Sequence, residues 1–229
     1  PDGTRADMGA FYFNQIENPI IYSCTDPEAC NYNVDATDSG DLTAVISDTA
    51  GQSSSTHGYV AGGCGGGTPE VFSPSTIEKV AFATAANATS VGNLWQGLCN
   101  AGANSSLTYG YVSAGGPGTH DNMITRYSFT SDGNAVDLGD LTEDRSSAVG
   151  TQSRTHGYVM GGHDKVSTPN YTDKVEKFAF GSSTSGTDVA NLTQVRVSSA
   201  GSSSTTHLYV AGGHSNDGST TTYHNIIDK

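Results

Sequence analysis

Apolar residues in this chain come in short bursts, each broken by glycine or by serine and threonine. Tyr59-Val-Ala61 runs into Gly62-Gly63, and Tyr158-Val-Met160 runs into Gly161-Gly162. Ile124-Thr-Arg-Tyr-Ser-Phe129 alternates with a period of two, the spacing of a strand rather than of a helix. β-Branched residues and glycine interrupt nearly every window in which a 3.6-residue period would have to build up. The pattern predicts an all-β chain of short strands and tight turns.

The bursts recur. One block reads Thr56-His-Gly-Tyr-Val-Ala-Gly-Gly63 and returns at 108–116, 155–162 and 206–213. A second, Ile77-Glu-Lys-Val-Ala-Phe82, returns at 124–129 and 175–180 and begins again at Ile227-Asp-Lys229. A third, Asn87-Ala-Thr-Ser-Val-Gly-Asn-Leu94, returns at 134–141 and 186–192, with an early copy at 34–42. Small residues stand between the third block and the next first block, as in Thr49-Ala-Gly51 and Asn100-Ala-Gly102. They suit an innermost strand where repeats converge and leave little room.

These features resemble the kelch repeat. Leu141-Thr-Glu-Asp-Arg145, Tyr158-Val-Met-Gly-Gly162, Val175-Glu-Lys-Phe178 and Leu192-Thr-Gln-Val-Arg196 follow its order of arginine, aromatic-Val-x-Gly-Gly and later aromatic strand. The diglycines Gly62-Gly63, Gly115-Gly116, Gly161-Gly162 and Gly212-Gly213 mark every repeat. The kelch tryptophan after the third strand is missing, and Ile46 and Leu98 stand where the arginine belongs. The wording is closer still to kelch-like repeats of marine bacteriophage virion proteins, of the tail-fibre or appendage kind.

The resemblance implies a kelch-like β-propeller of four-stranded antiparallel blades. About four repeats would span 34–229, the last incomplete, after a non-repeat segment 1–33 with a Cys-framed acidic loop. Because the last third-type strand is cut short, the chain is expected to continue past Lys229; a four-bladed ring completed by the early strand is the alternative. The implied function is non-catalytic: a virion or extracellular surface protein that contacts a host receptor or glycan, or serves as an appendage subunit. A purely structural assembly subunit and a kelch-scaffold enzyme of the galactose-oxidase type are the alternatives. Partners would be other virion or surface-assembly proteins, within an oligomeric assembly.

Net charge sharpens this. At −13, with ten Lys+Arg in 229 residues, the chain is repelled by nucleic-acid phosphates and anionic membranes. No apolar stretch approaches membrane-spanning length, so no insertion is expected. No HExxH, GxSxG, P-loop or dinucleotide motif occurs, and no catalytic residue is assigned.

Four cysteines without a CxxC point to disulfides rather than zinc, with Cys24–Cys30 and Cys64–Cys99 as the expected pairs. That favours an oxidising setting. Asn31, Asn33, Asp35 and Asp38 alternate like a calcium loop, but Ala36 replaces its turn glycine and no closing Glu follows. A polar turn is the favoured reading, and no cofactor or metal is expected. His57, His156 and His207 repeat at one position, which suits a packing or hydrogen-bonding role better than a metal site.

Spacing locates a candidate binding face. From the second block's Ile or Val to the third block's Leu is always 17 residues, whereas from Gly-Gly to that Ile or Val it is 14, 8, 13 and 14. Length variation is therefore confined to one connection, and such loops carry function. Trp95 breaks the repeat where Thr43, Thr142 and Thr193 stand, and its ring can stack on a sugar face. Trp95, His163, Asp164, Tyr171 and His214 are the candidate ligand contacts. Asn87, Asn104, Asn170 and Asn191 open glycosylation sequons, which repeat chemistry explains equally well.

Overall fold

The computed structural model describes residues 40–65, 74–116, 121–164, 170–181 and 185–229. Among these, all regular structure is β-strand, arranged in antiparallel sheets. The N-terminal segment 1–33, with Cys24, Cys30 and the Asn31–Asp38 stretch, lies outside the described residues.

Four successive modules share one strand order. The first holds β1 (Ile46–Ser47), β2 (Ala50–Ser53), β3 (His57–Ala61), β4 (Cys64–Gly65), β5 (Thr76–Ala81) and β6 (Thr89–Asn93). The second holds β7 (Gly102–Ser105), β8 (Tyr109–Ser113), β9 (Asp121–Ser128) and β10 (Val136–Ser146). The third holds β11 (Val149–Gln152), β12 (His156–Met160), β13 (His163–Asp164), β14 (Lys174–Ala179) and β15 (Thr187–Asn191). The fourth holds β16 (Ala200–Ser203), β17 (Leu208–Ala211), β18 (His214–Asn216), β19 (Thr221–Tyr223) and β20 (Ile227–Asp228). The sheets run β2-β3-β5-β6, β7-β8-β9-β10 with β13 added to its edge, β11-β12-β14-β15, and β16-β17-β20. Each is a meander, the topology that tight turns between sequential strands produce.

The recurring small residues explain how the modules meet. Ala50-Gly51, Gly102-Ala103, Val149-Gly150 and Ala200-Gly201 lie on the first strands, and β2, β7, β11 and β16 stand side by side in that order. A Cβ on Gly150 would fall 2.2 Å from the Ala103 carbonyl oxygen, so only glycine allows that approach. The diglycines serve a second contact. Gly62 has φ +65°, and a Cβ there would meet the Leu98 carbonyl oxygen at 2.3 Å, while the Gly63 N–H donates to that same oxygen at 2.7 Å.

The hydrophobic cores lie between sheets rather than within them. Tyr59, Ile77 and Leu98 join Val112 and Tyr127 across the first junction. Tyr111, Ile124 and Leu141 join Val159 and Phe178 across the second, and Met160, Val175 and Leu192 join Val210 across the third. A single sheet cannot cover its own apolar face, so stability comes from neighbour contacts, as in repeat proteins.

Candidate functional site

The meander sorts the connections onto two faces. Turns between first and second strands, and between third and fourth, lie on one. The connections after Gly-Gly, and those leading into the next module, lie on the other.

On the first face one turn recurs. Ser54, Ser106, Ser153 and Ser204 each accept the N–H of the residue three positions on, at 3.0–3.1 Å. Nδ1 of His57, His156 and His207 bonds the preceding threonine hydroxyl at 2.8–2.9 Å. The repeated histidines thus pin a turn and do not converge.

The second face differs from module to module. At its centre Asp48, Asn100, Ser147 and Ser198 adopt left-handed backbones, with φ 51°, 56°, 53° and 54°. The Asn100 N–H donates to the Asp48 carbonyl at 3.1 Å, Ser147 to Asn100 at 2.8 Å, and Ser198 to Ser147 at 3.1 Å. This ladder satisfies groups that a conformation unfavourable to L-residues would otherwise strand. With Thr49, Ala101, Ala148 and Ser199 the four line a polar cavity of about 240 Å³. Sequence reasoning missed this ladder, although its members immediately precede the small-residue segments that mark each first strand.

The expected contacts lie in connections of this same face. Trp95 follows β6 and is 69 % exposed; the adjacent Gln96 amide holds the Asp121 carboxylate at the start of β9. His163 pairs with Ser146, and its ring meets Tyr171 edge-on at 5.1 Å. His214 pairs with Tyr223 in the β18–β19 hairpin, ring centroids 5.8 Å apart, and exchanges both backbone hydrogen bonds with Val197. Asp164 is the next residue along β13. It is 2 % exposed and stands opposite Arg145 in the ladder. At the hairpin tip the N–H groups of Thr220 and Ser219 donate to the Asp217 carboxylate at 2.8 and 2.9 Å and lower its pKa, fixing a negative charge there.

Cys64 and Cys99 form a disulfide that ties the connection after the first diglycine to the crossing into the second module. Asn104, one of the sequon asparagines, is buried and donates its amide to the Thr151 and Tyr158 carbonyls, which leaves no room for a glycan.

Beneath this face lies a repeated clamp. Thr43, Thr142 and Thr193 donate backbone N–H and hydroxyl to the carboxylates of Glu78, Glu176 and Asp228, with N···O distances of 2.8–3.1 Å. Arg145 and Arg196 pair with Glu176 and Asp228 and reach the Gly161 and Gly212 carbonyls at 3.3 Å. Each of these arginines therefore fastens one module to the next. The clamp's signal in the sequence was the arginine together with the Glu or Asp at the second position of the Ile-Glu-Lys block.

Among the described residues no group of three His, Cys, Asp or Glu side chains converges to hold a metal ion, and no helix is long and apolar enough to cross a membrane. What the face offers is polar backbone and hydroxyl groups, aromatic rings and fixed negative charge. Compared with known proteins, the chain matches no family model and no curated sequence.

Proposed function

We propose that the four modules are blades of a kelch-like β-propeller, and that the chain is a non-catalytic virion or extracellular surface protein which contacts a host receptor or glycan through the face bearing Trp95. The side-by-side first strands, the cores at module junctions and the axial cavity support the propeller. The Cys64–Cys99 disulfide supports an oxidising location.

One observation carries the functional reading. The residues that hold modules together repeat, whereas Trp95, the disulfide, the β18–β19 hairpin and the mixed ring Asp48, Asn100, Ser147, Ser198 gather on one face. Variation gathered on one face of a repeated scaffold is how recognition is placed on a rigid fold. An exposed indole beside hydroxyls suits a sugar ring, which offers both an apolar face and hydrogen-bonding edges.

The test pairs Trp95→Ala with replacement of Asn216–Thr221 by a Gly-Ser turn, and reads binding to immobilised glycans and host cells beside the melting temperature. Binding lost with an unchanged melt supports the reading, since exposed substitutions move stability by about 0.5 kcal/mol or less. Undiminished binding, or a partner mapped to the opposite face or the outer strands, makes the protein an assembly subunit instead.

A further inference from the structure

The Cys64–Cys99 link is added to a junction whose backbone bonds recur without it. The Gly63 N–H donates to the Leu98 carbonyl at 2.7 Å, and the same bond runs from Gly115 to Arg145 and from Gly162 to Arg196, both at 2.9 Å. Those two junctions carry no cysteine at the linked positions. Gly116 and Ser146 stand there in one, His163 and Val197 in the other. Backbone contacts also hold each cysteine separately. Cys64 pairs with Ser47 in the β1–β4 ladder, and the Cys99 carbonyl accepts the Gly116 N–H at 3.0 Å. Opening the sulfur bridge therefore leaves both residues anchored.

The two sulfurs differ in access and share a donor. Cys99 is buried, whereas Cys64 is half-buried. The Asn100 side-chain amide nitrogen lies 3.8 Å from Cys99 Sγ and 3.9 Å from Cys64 Sγ. Its backbone is fixed in the axial ladder, with the N–H donating to Asp48 and the carbonyl accepting from Ser147. The Gly116 carbonyl oxygen lies 3.6 Å from Cys99 Sγ, placed to accept the hydrogen of a thiol there. When a disulfide is attacked, one sulfur leaves as a thiolate, and it leaves faster the better that charge is stabilised. An amide N–H beside the sulfur favours the charged form. Asn100 and Gly116 thus serve the two forms that Cys99 takes once the bridge opens.

We propose that Cys64–Cys99 is an exchangeable disulfide, through which the protein becomes covalently linked at Cys64 to a partner bearing an accessible thiol. The partner's thiolate attacks Cys64 Sγ, in the more accessible of the two cysteines. A bond forms between the partner's sulfur and Cys64 as the Cys64–Cys99 bond breaks, and the bonding pair departs on Cys99 Sγ. The Asn100 amide stabilises that charge. Water returns the proton that the partner's thiol gave up on ionising, and the Cys99 thiol then donates to the Gly116 carbonyl. One disulfide replaces another, so no oxidant or reductant is consumed. The inference is independent of what Trp95 contacts.

The test incubates the whole folded chain with a biotinylated small thiol, traps free thiols by alkylation at successive times, and maps the peptides without reductant. Biotin is expected on Cys64, with Cys99 recovered in alkylated form. Asn100→Gly keeps the left-handed backbone and removes the amide, and should slow the exchange about tenfold. Asn100→Asp places a carboxylate beside the departing thiolate and should slow it further. If neither variant folds, the position of the biotin on the native chain still decides. Biotin on Cys99, biotin on both cysteines alike, two free thiols with no adduct at any time, labelling only after unfolding in urea, or an unaltered rate in Asn100→Gly would each overturn the proposal.

Discussion

Leu98 and Arg145 occupy equivalent positions at successive module junctions. Arg145 is wholly buried, paired with Glu176, and reaches the carbonyl oxygens of Gly161 at 3.3 Å and Lys174 at 3.5 Å. Leu98 is just as buried, and Thr125 stands at the position equivalent to Glu176, its hydroxyl donating to the Val112 carbonyl at 3.1 Å. Trp95 takes the place of Thr142, which has no carboxylate left to hold. The apolar junction also carries the Cys64–Cys99 disulfide. At this junction arginine, carboxylate and threonine are all replaced, whereas at Ile46 only the arginine is, and the buried Glu78 keeps its bonds from Thr43. A buried charge that loses its partner costs far more than replacing the whole set by apolar groups. Nε of both Arg145 and Arg196 is buried without a hydrogen-bond partner, so the ionic version is itself incompletely satisfied.

The largest expected effect comes from breaking the ionic set by halves. Arg145→Leu leaves the Glu176 carboxylate buried beside threonine alone and should cost about 3–5 kcal/mol in urea unfolding. Adding Glu176→Thr, which copies the first junction, should recover more than half of that loss. A double variant no more stable than the single one would mean that the set is not coupled.

The reciprocal change comes next. Leu98→Arg overfills a tight site and buries a charge without a partner, for about 2–3 kcal/mol. Thr125→Glu added to it should restore part of the loss. Failure of that rescue would show that the apolar junction has repacked too far to accept the ionic set.

Replacing both Cys64 and Cys99 by serine should cost about 2–4 kcal/mol. Hydrogen exchange should rise at Gly63 and Asn100, beside the link, and stay unchanged at Gly162 and Ser198. Uniform loss of protection would make the disulfide a global staple rather than a local substitute for the arginine.

The smallest effect at neutral pH, and a distinct one in alkali, belongs to Tyr127, which fills the position that Phe178 fills at the next junction. Burial first, and then the neighbouring Tyr59, push its phenol pKa well above the ordinary value near 10. The folded protein therefore resists ionisation that the unfolded chain undergoes. Stability should be intact below about pH 10 and decline as pH rises above it. Tyr127→Phe forfeits the 2.8 Å bond to the Gln52 side chain, worth about 1 kcal/mol, and should flatten the alkaline decline in unfolding midpoints. A decline just as steep in the variant would assign it to other groups.

Much of the fold was legible because strand period and glycine act locally. Tyr-Val before Gly-Gly marks a strand that ends where the backbone needs a left-handed turn, and that follows from a few adjacent residues. The candidate site was legible only in part. Trp95 and the variable connections stood out as breaks in a repeat. Asp164 resembled a loop carboxylate, yet it is buried, because its burial depends on β13 joining the edge of the sheet before it. Asn104 resembled a glycan acceptor for the same reason: nothing local to it reports the carbonyls of Thr151 and Tyr158 that its amide reaches.

By itself, then, the sequence determined the strands, the module length and the connection in which length varies, since these are properties of neighbouring residues and of spacing. Only the tertiary structure decided that Asp48, Asn100, Ser147 and Ser198 form one ladder, that Arg145 belongs to the Glu176 of the following module, and that Gly157 faces Phe178. Each of these joins residues about ten to fifty positions apart, and such partners are chosen by the packing of whole sheets.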